Sequence, residues 1–382
     1  MLWEQMQPVV STLSDLIRIN SVNPAYTQGV NERDIQDCIG AFFRRREMGV
    51  REQEVLPGRP NLIVSIPGRN PDRRLILEAH CDTAGVEGMS APFAPVIENG
   101  RIYGRGACDT KGGLVAMMHA IADVHDSGVR PPCEVWFVSA MDEEHSCQGA
   151  TYFCRDVEAA GAVIAEPTEL RMIRASKGCV RWNITVHGKA AHSAKPHLGV
   201  SAILAMSRLL LELEKDNGAL GDVSHPLLGS PTWNAGQIAG GTQVNIVPER
   251  CTVSIDRRMI PGETPEQVLA GFQRTLDRFG HAHPQLRIEM EPPSVQDWPL
   301  DTPADADIVC HTGAVLRELG LPDEAIGVPF GSDASKFGRA GVPAIIFGPG
   351  DIAQAHTAQE YLELDRLEQS YLVYRRLIET FE

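Results

Sequence analysis

Two residues with side chains that can bind metals follow a short apolar run. The run occupies residues 75–77, and His80 and Asp82 come soon after it. In an extended strand, side chains two positions apart lie on the same face, so this imidazole and this carboxylate should point to the same place. An isolated H-x-D pair is common by chance, but ligands of open α/β sheets bind at the carboxyl ends of strands. The pair therefore predicts a site at the end of a strand.

A further acid lies in the glycine-rich stretch GRGACDTKGG, which contains Asp109. A phosphate-loop order is absent because Lys111 precedes the glycines, and the third glycine of a dinucleotide fingerprint is also absent. An acid at this position would repel a pyrophosphate and would suit a cation. Taken alone, Asp109 could equally be the N-cap of the helix that follows.

Three more segments end apolar runs with groups of the same kind. They are CEVWFVSAMDEE with Glu143 and Glu144, AGAVIAEP with Glu166, and AIIFGPGDIAQAH with His356. A D-E-E run alone is usually a solvated turn. Together, however, the segments provide two histidines and several carboxylates, the donor set of a pair of zinc-like ions about 3.5–4 Å apart. A carboxylate that binds no ion would then be available as a general base.

The elements that must position these residues alternate between strands and helices up to about residue 177. This order predicts a mostly parallel sheet with helices on both faces. The stretch VRWNITVHGKAAH then alternates with a period of two, which is typical of a sheet with one solvent-exposed face. We therefore predict an α/β protein in which a mostly parallel-sheet domain, residues 1–178 and 292–382, is split around an inserted α+β domain, residues 179–291.

Composition limits the classes of partner. The 382 residues include 35 Lys plus Arg and 50 Asp plus Glu, a formal net charge of −15, which argues against nucleic acid as a partner. No run approaches the length of a membrane span, and the first residues lack the basic region of a signal peptide. The nine cysteines are scattered, without a C-x-x-C pair, so we expect free thiols and a cytoplasmic location.

With these segments in order, the sequence resembles the co-catalytic zinc metallopeptidase and aminoacylase family, which includes acetylornithine deacetylase, succinyl-diaminopimelate desuccinylase and glutamate carboxypeptidase. The resemblance extends from about residue 60 to residue 361, nearly the whole chain. The matching segments are HCDT, GRGACDTKGG, DEEHSCQGA, AEPT, GKAAHSAKPHLGVSAI, DRRMIPGE, GSDASKF and AHTAQEY.

The resemblance implies two metal ions per chain, Zn²⁺ with Co²⁺ or Mn²⁺ as substitutes, and it implies which residues bind them. One ion would be held by His80, Asp109 and Glu166, and the other by Asp109, Glu144 and His356, so that Asp109 bridges the two. It also implies a cis peptide bond between Asp109 and Thr110.

The same resemblance implies roles for residues that bind no metal. Asp82 would hydrogen-bond to His80. Glu143 would act as general base, taking a proton from the water that bridges the ions and passing it to the leaving amine.

In the inserted domain, the resemblance implies that His192 stabilises the oxyanion, in its own subunit or in a partner's. His192 is preferred to the neighbouring His187 and His197 on the AAHS match. Asn245 and Arg258 would bind the substrate. The inserted domain would serve as lid and as the interface of a homodimer.

The expected substrate is a small N-acyl amino acid, with acetylornithine first. Desuccinylases of this family usually have arginines just before the lid strand, where this chain has Lys177 and Gly178. Arg174 and Arg181 are near enough in sequence to serve instead, so a desuccinylase stays an alternative. A dipeptidase or carboxypeptidase acting on short peptides is another. A non-catalytic relative is a third, and it would be favoured by a missing ligand or general base, but none is missing.

Overall fold

The computed structural model of the protein describes residues 2–382. The chain divides into two compact units, each with a hydrophobic core of its own. Unit 1 comprises the chain up to Arg174 together with Asp301–Ile326 and Ser332–Glu382, and unit 2 comprises Ala175–Leu300 and Gly327–Gly331.

Nine α-helices occur in the described chain, and none of them is both long and apolar enough to cross a membrane. A kinked segment, Ala107–Lys111, in which Asp109 and Thr110 have non-helical backbone angles, directly precedes the third helix. The helices are α1 (Leu2–Arg18), α2 (Arg33–Arg44), α3 (Gly112–Asp126), α4 (Gln148–Phe153), α5 (Ala202–Asp216), α6 (Pro265–Ala282), α7 (Asp307–Glu318), α8 (Ala334–Arg339) and α9 (Leu364–Thr380).

The strands range from 2 to 11 residues in length. Those before residue 165 are β1 (Val50–Leu56), β2 (Arg59–Ile66), β3 (Asn70–His80), β4 (Val96–Glu98), β5 (Arg101–Tyr103), β6 (Cys133–Ala140) and β7 (Gly161–Ile164). Those after it are β8 (Ile173–Ser176), β9 (Gly178–His187), β10 (Ala191–His192), β11 (Thr232–Gly240), β12 (Ile246–Val247), β13 (Arg250–Met259), β14 (Arg287–Met290), β15 (Val295–Asp297), β16 (Leu300–Asp301), β17 (Ile326–Val328), β18 (Ala344–Ile346) and β19 (Tyr361–Glu363).

The larger sheet has the strand order β1-β2-β6-β3-β7-β18-β8-β16, with β17 beside β8. Strands β6, β3, β7 and β18 run parallel to one another, whereas β1, β2 and β8 pair antiparallel with their neighbours. The predicted α/β fold is confirmed. The parallel strands form the centre of the sheet, and the antiparallel strands beside them make it a mixed sheet.

Helix α3 shows why the central strands are buried. Over residues 112–122 its side chains are apolar on every side except for His119, and these residues are all buried between the sheet and the neighbouring helices α1 and α9. A helix without a polar face is stable only inside a core, so the chain encloses it. The same helix begins directly after Ala107–Lys111, so its burial also anchors that segment.

Unit 2 contains a five-stranded sheet with the order β11-β13-β9-β14, in which β15 also pairs with β9. The period of two predicted for β9 is present, because alternate residues from Val180 to Val186 enter the core under α5 and α6. Trp182 packs edge-on against Phe272, with ring centroids 4.8 Å apart. The functional domain boundaries, which we expect at 179 and 291, stay a prediction.

Candidate metal centre

The candidate site lies where neighbouring strands of the larger sheet end. His80 is the last residue of β3, while Glu143 and Glu166 follow β6 and β7. Because β3 runs parallel to both β6 and β7, the carboxyl ends of these strands meet at one edge of the sheet. His356 lies in the loop after β18, the parallel neighbour of β7. Asp109 comes from the kinked segment before α3.

Asp109 belongs to two groups of metal-binding side chains. Donor atoms of His80, Asp109 and Glu166 lie within 4.8 Å of one another, and so do those of Asp109, Glu144 and His356. Oδ1 of Asp109 is 3.1 Å from Nε2 of His80, and Oδ2 is 3.2 Å from Nε2 of His356. The two oxygens of one carboxylate therefore face the two groups, as those of a bridging ligand do. The five residues predicted as ligands are thus close together.

The donor set fits two zinc-like ions. Each group supplies one imidazole and two carboxylates when Asp109 is counted in both, and such donors suit Zn²⁺ as well as Co²⁺ and Mn²⁺. Three protein ligands leave a coordination position for water or substrate, as catalytic zinc sites do. Glu166 is buried, and burial raises the pKa of its carboxyl well above the usual range. A nearby cation would offset this cost of ionising Glu166.

The two histidines keep Asp109 ionised. Burial alone would raise the pKa of this carboxyl, but the contacts with His356 and His80 hold that pKa well below its usual range. The contacts of His356 with Asp109 and Glu144 in turn raise the pKa of the imidazole to about 10. The second contact is between Nε2 of His356 and Oε2 of Glu144, at 2.9 Å. The carboxylate of Asp109 is therefore negatively charged at neutral pH.

Asp82 contacts His80 through a different atom from the one expected. Nδ1 of His80 lies 3.0 Å from the backbone oxygen of Asp82 and 3.7 Å from its carboxylate. The carbonyl therefore orients the imidazole, a role that backbone oxygens often fill for metal-binding histidines. The carboxylate instead accepts the backbone N–H groups of Glu143 and Glu144, at 3.1 and 3.2 Å. Asp82 thus holds the turn that carries both glutamates.

Glu143 lies beside the ligands and belongs to neither of the two groups. Burial raises the pKa of its carboxyl well above the usual range, and the proximity of His80 opposes this only in part. A general base needs a pKa near the working pH, so burial shifts Glu143 in the required direction. The carboxylates of Glu143 and Asp333 and the thiol of Cys147 form a third group, with atoms within 4.8 Å of one another. A cation bound by this third group would therefore bind to Glu143, the residue expected to act as general base.

A buried polar network behind the site was not predicted from the sequence. Asn23 donates from its side-chain amide to Asp82 at 2.7 Å and to Asp142 at 3.0 Å. Arg59 donates to Asp142 at 2.9 Å and to both oxygens of Glu32. These partners are far apart along the chain, and neither Asn23 nor Arg59 lies in a recognisable motif. No signal in a single sequence identifies such contacts.

Two of the predicted residues of the inserted region are neighbours in unit 2. His192 in β10 pairs with Ile246 in β12, and the N–H of Ser193 donates to the backbone oxygen of Asn245. The His192 side chain is exposed, and its Nδ1 accepts the N–H of Ala194 at 3.0 Å. Their roles with substrate stay predictions.

The third predicted residue, Arg258, lies on β13 and contacts Asp256, with Nε 2.8 Å from a carboxylate oxygen. Asp256 also accepts from Arg181 at 2.7 Å. The adjacent Arg257 is buried and pairs with Glu263, so the two arginines project to opposite faces of the strand. Arg258 is therefore the more accessible of the two, but a substrate carboxylate would have to compete with Asp256.

Comparison with known proteins adds to this geometry. Residues 76–380 match the family described as peptidase family M20/M25/M40. An acetylornithine deacetylase of Myxococcus xanthus is 31% identical over 329 residues, which cover 84% of this chain and 83% of that protein. A probable carboxypeptidase of Aspergillus clavatus is 26% identical, over 97% of this chain and 88% of that protein.

A similar fold is found among solved structures. A tripeptidase from Staphylococcus aureus superposes with a TM-score of 0.80 at 22% identity, over 98% of this chain and 97% of the other. This similarity of fold extends over nearly the whole chain.

Proposed function

Since the chain belongs to the M20/M25/M40 peptidase family and is a hydrolase of amide bonds, we propose that it removes the acyl group from an N-acyl amino acid. Acetylornithine is the first substrate to test, because the acetylornithine deacetylase of Myxococcus xanthus is 31% identical. The observation that carries the proposal is the carboxylate of Asp109, whose two oxygens face two separate groups of metal ligands.

Two Zn²⁺ ions would be held by the two groups that share Asp109, with Co²⁺ or Mn²⁺ as substitutes. When bound, such ions supply Lewis-acid polarisation of the amide carbonyl and lower the pKa of water. The protein's own part is to hold the ligands and to move a proton. Glu143 is the base that accepts a proton from water and delivers it to the amine that leaves. The carboxylate of Asp82 keeps Glu143 in place because it accepts the backbone N–H of Glu143.

Residues of unit 2 complete the proposal. His192 would donate to the oxyanion, in its own subunit or in a partner's, and Arg258 would bind the substrate carboxylate with Asn245 beside it. The choice of Arg258 over Arg257 is supported by their positions, because Arg257 is already buried and paired with Glu263.

The test is hydrolysis of N-acetylornithine, N-succinyl-diaminopimelate and a set of dipeptides by the zinc-loaded protein. We expect release of amine from acetylornithine and a loss of at least about 10²-fold in kcat for Glu143→Ala, within the range that general bases contribute. Glu169→Gln, outside the two ligand groups, is the matched control and should keep full activity. A Glu143→Ala protein with normal metal content and undiminished kcat would refute the role of Glu143.

A peptidase is the second candidate. It is favoured by the probable carboxypeptidase of Aspergillus clavatus, which matches 97% of this chain, more than the deacetylase does. The same assay decides between the two, since both use Glu143 but differ in which substrate is turned over. Dipeptide hydrolysis without deacetylation would replace the first proposal by the second.

A homodimer through unit 2 is part of the proposal. Strand β11 is at the edge of its sheet and is exposed along nearly all of its length, and such edges are open to pairing with another chain. Apolar side chains nearby are also exposed, with Ile238 on β11 and Leu204 and Leu211 on α5.

We predict a solution mass near twice 41.7 kDa and a shift toward the monomer in Ile238→Lys. Val129→Lys is the matched control, because Val129 in unit 1 is 57% exposed and Ile238 is 56% exposed. Light scattering after size-exclusion chromatography measures both. A wild-type monomer at micromolar concentration would rule out this interface.

A further inference from the structure

Glu360 is a buried carboxylate whose hydrogen bonds all come from one short segment, residues 105–109. One oxygen accepts the backbone N–H groups of Cys108 at 2.9 Å and Asp109 at 3.0 Å. The other accepts the N–H of Gly106 at 3.1 Å and the guanidinium of Arg105 at 2.6 Å. Glu360 is 1% exposed, so water does not replace these contacts. Charge-assisted bonds of this kind are stronger than neutral ones.

The segment that Glu360 binds needs support from outside. Gly106 has a φ of 83°, and Asp109 has a φ of −119° and a ψ of 93°, so the backbone here departs from a regular helix. Without the usual helical hydrogen bonds, the N–H groups of Cys108 and Asp109 would be left buried and unpaired. Glu360 accepts both and thereby fixes the backbone from which the Asp109 side chain extends.

Glu360 also lies close in sequence to another ligand. It follows His356 by four residues, in the segment that leads to β19 (Tyr361–Glu363). The hydrogen bonds between Glu360 and residues 105–109 therefore connect the segment of His356 with the segment of Asp109. These two ligands belong to the same group, together with Glu144.

We propose that Glu360 is a positioning residue that sets the spacing of Asp109 and His356 and thereby the affinity for the ion they share with Glu144. The inference rests on the metal centre of the proposed function. It differs from a purely structural role, in which Glu360 would only neutralise the buried Arg105 and the loss would appear in stability alone. Residues of this kind, which orient metal ligands, typically change metal affinity by about 10–100-fold when they are replaced.

The experiment compares wild type, Glu360→Gln and the control Glu363→Gln. Glu363 is three residues away and pairs with Arg101, and its side chain is 38% exposed. Binding of Zn²⁺ is measured by competition with a chromogenic chelator, and the Co²⁺-loaded proteins are compared by visible absorption spectra. We expect about tenfold or greater weakening of one of the two ions in Glu360→Gln and an altered Co²⁺ spectrum. Glu363→Gln should match wild type.

Unchanged zinc affinity and an unchanged Co²⁺ spectrum in Glu360→Gln would overturn the inference, whatever happens to the unfolding temperature. Glu360→Asp keeps the charge opposite Arg105 but shortens the side chain, so it serves if Glu360→Gln does not fold. It too should bind one ion more weakly, and wild-type affinity would count against the proposal. A wild-type protein that binds fewer than two ions would instead refute the metal centre itself, a result distinguishable from the failure of Glu360 alone.

Discussion

Asn23 joins two buried carboxylates through one amide group, donating to Asp82 and to Asp142. Its own oxygen accepts the N–H of Ala25 at 3.0 Å, so the whole side chain is paired. Asn23, Asp82 and Asp142 are each no more than 1% exposed. Because Asp82 also holds the N–H of Glu143, the amide of Asn23 supports the base from a distance.

We predict that Asn23→Asp destabilises the protein more than Asn23→Ala does. The alanine variant removes two hydrogen bonds to buried carboxylates, at a cost of about 1–3 kcal/mol in the free energy of unfolding. The aspartate variant also places a third negative charge beside Asp82 and Asp142. Denaturant unfolding at neutral pH measures both. Asn20→Asp is the control, because the side-chain oxygen of Asn20 accepts the N–H of Val22 and an aspartate can do the same. Equal stability of the two Asn23 variants would contradict this account.

At this scale, the sequence predicted which side chains come together in the two ligand groups better than which residues support them. His80, Glu166 and His356 each lie in short motifs, so their types and order could be interpreted directly. Asn23 acts on Asp82 from 59 residues away, and nothing local marks it. Even for Asp82 the residue was predicted but the atom was not, because the path of the backbone decides which oxygen faces His80.

Among the elements, α3 carries a histidine into the core. His119 is 4% exposed, lies 2.9 Å from Oγ1 of Thr12 through Nε2, and packs against the ring of Phe42. Burial lowers the pKa of His119 from 6.5 to about 4. At a pH between these two values, the imidazole is therefore neutral in the folded protein but protonated in the unfolded chain.

This difference makes stability depend on pH. Between pH 6.5 and about 4 this histidine carries a proton in the unfolded chain but not in the folded protein, so its contribution to the free energy of unfolding falls as the pH is lowered. The total loss is roughly 3 kcal/mol. We predict that His119→Gln flattens this part of the pH profile, and that His125→Gln, an exposed position on the same helix, does not. Unfolding is measured with chelator present, so that pH-dependent metal binding does not contribute, and the titration of the ligand side chains is common to both proteins that are compared. Parallel profiles for wild type and His119→Gln would disprove the assignment.

Element types were predictable where periodicity was strong. The alternating stretch from residue 180 is β9, and α3 is one of the helices expected to alternate with strands before residue 177. The mixed character of the larger sheet was not predictable, because the direction of β2 and β8 depends on long-range pairing and not on local pattern. In the kinked segment Ala107–Lys111, the cis peptide bond between Asp109 and Thr110 was predicted and is present. The rest of its backbone path was not predictable, since it depends on tertiary contacts such as those of Glu360.

For the whole molecule, the distribution of charge matters more than its total. The formal net charge is −15, and several carboxylates are concentrated in the interior of unit 1 instead of facing water. Burial raises the pKa values of Glu78, Glu143 and Glu166 well above the usual range. Such a cluster opposes folding unless cations or protons neutralise it, so metal binding and the stability of unit 1 should be coupled.

We predict that removing metal destabilises unit 1 selectively. The predicted ligands all lie in unit 1, and unit 2 has a separate hydrophobic core around Trp182 and Phe272. Each ion present at 100 times its Kd adds about 2.7 kcal/mol to the free energy of unfolding. Chelation should therefore lower the unfolding temperature. In hydrogen exchange read by mass spectrometry it should increase deuteration of residues 105–111 while β9 and β13 keep their protection.

The variant His356→Ala separates the two ions in this experiment. It leaves the group of His80, Asp109 and Glu166 complete and removes one ligand of the other group. Zinc should then stabilise the variant by about half as much as the wild type, because only one ion binds tightly. If chelation increased exchange in β9 as much as in residues 105–111, the two cores would unfold together. The ions would then stabilise the whole chain and not unit 1 alone.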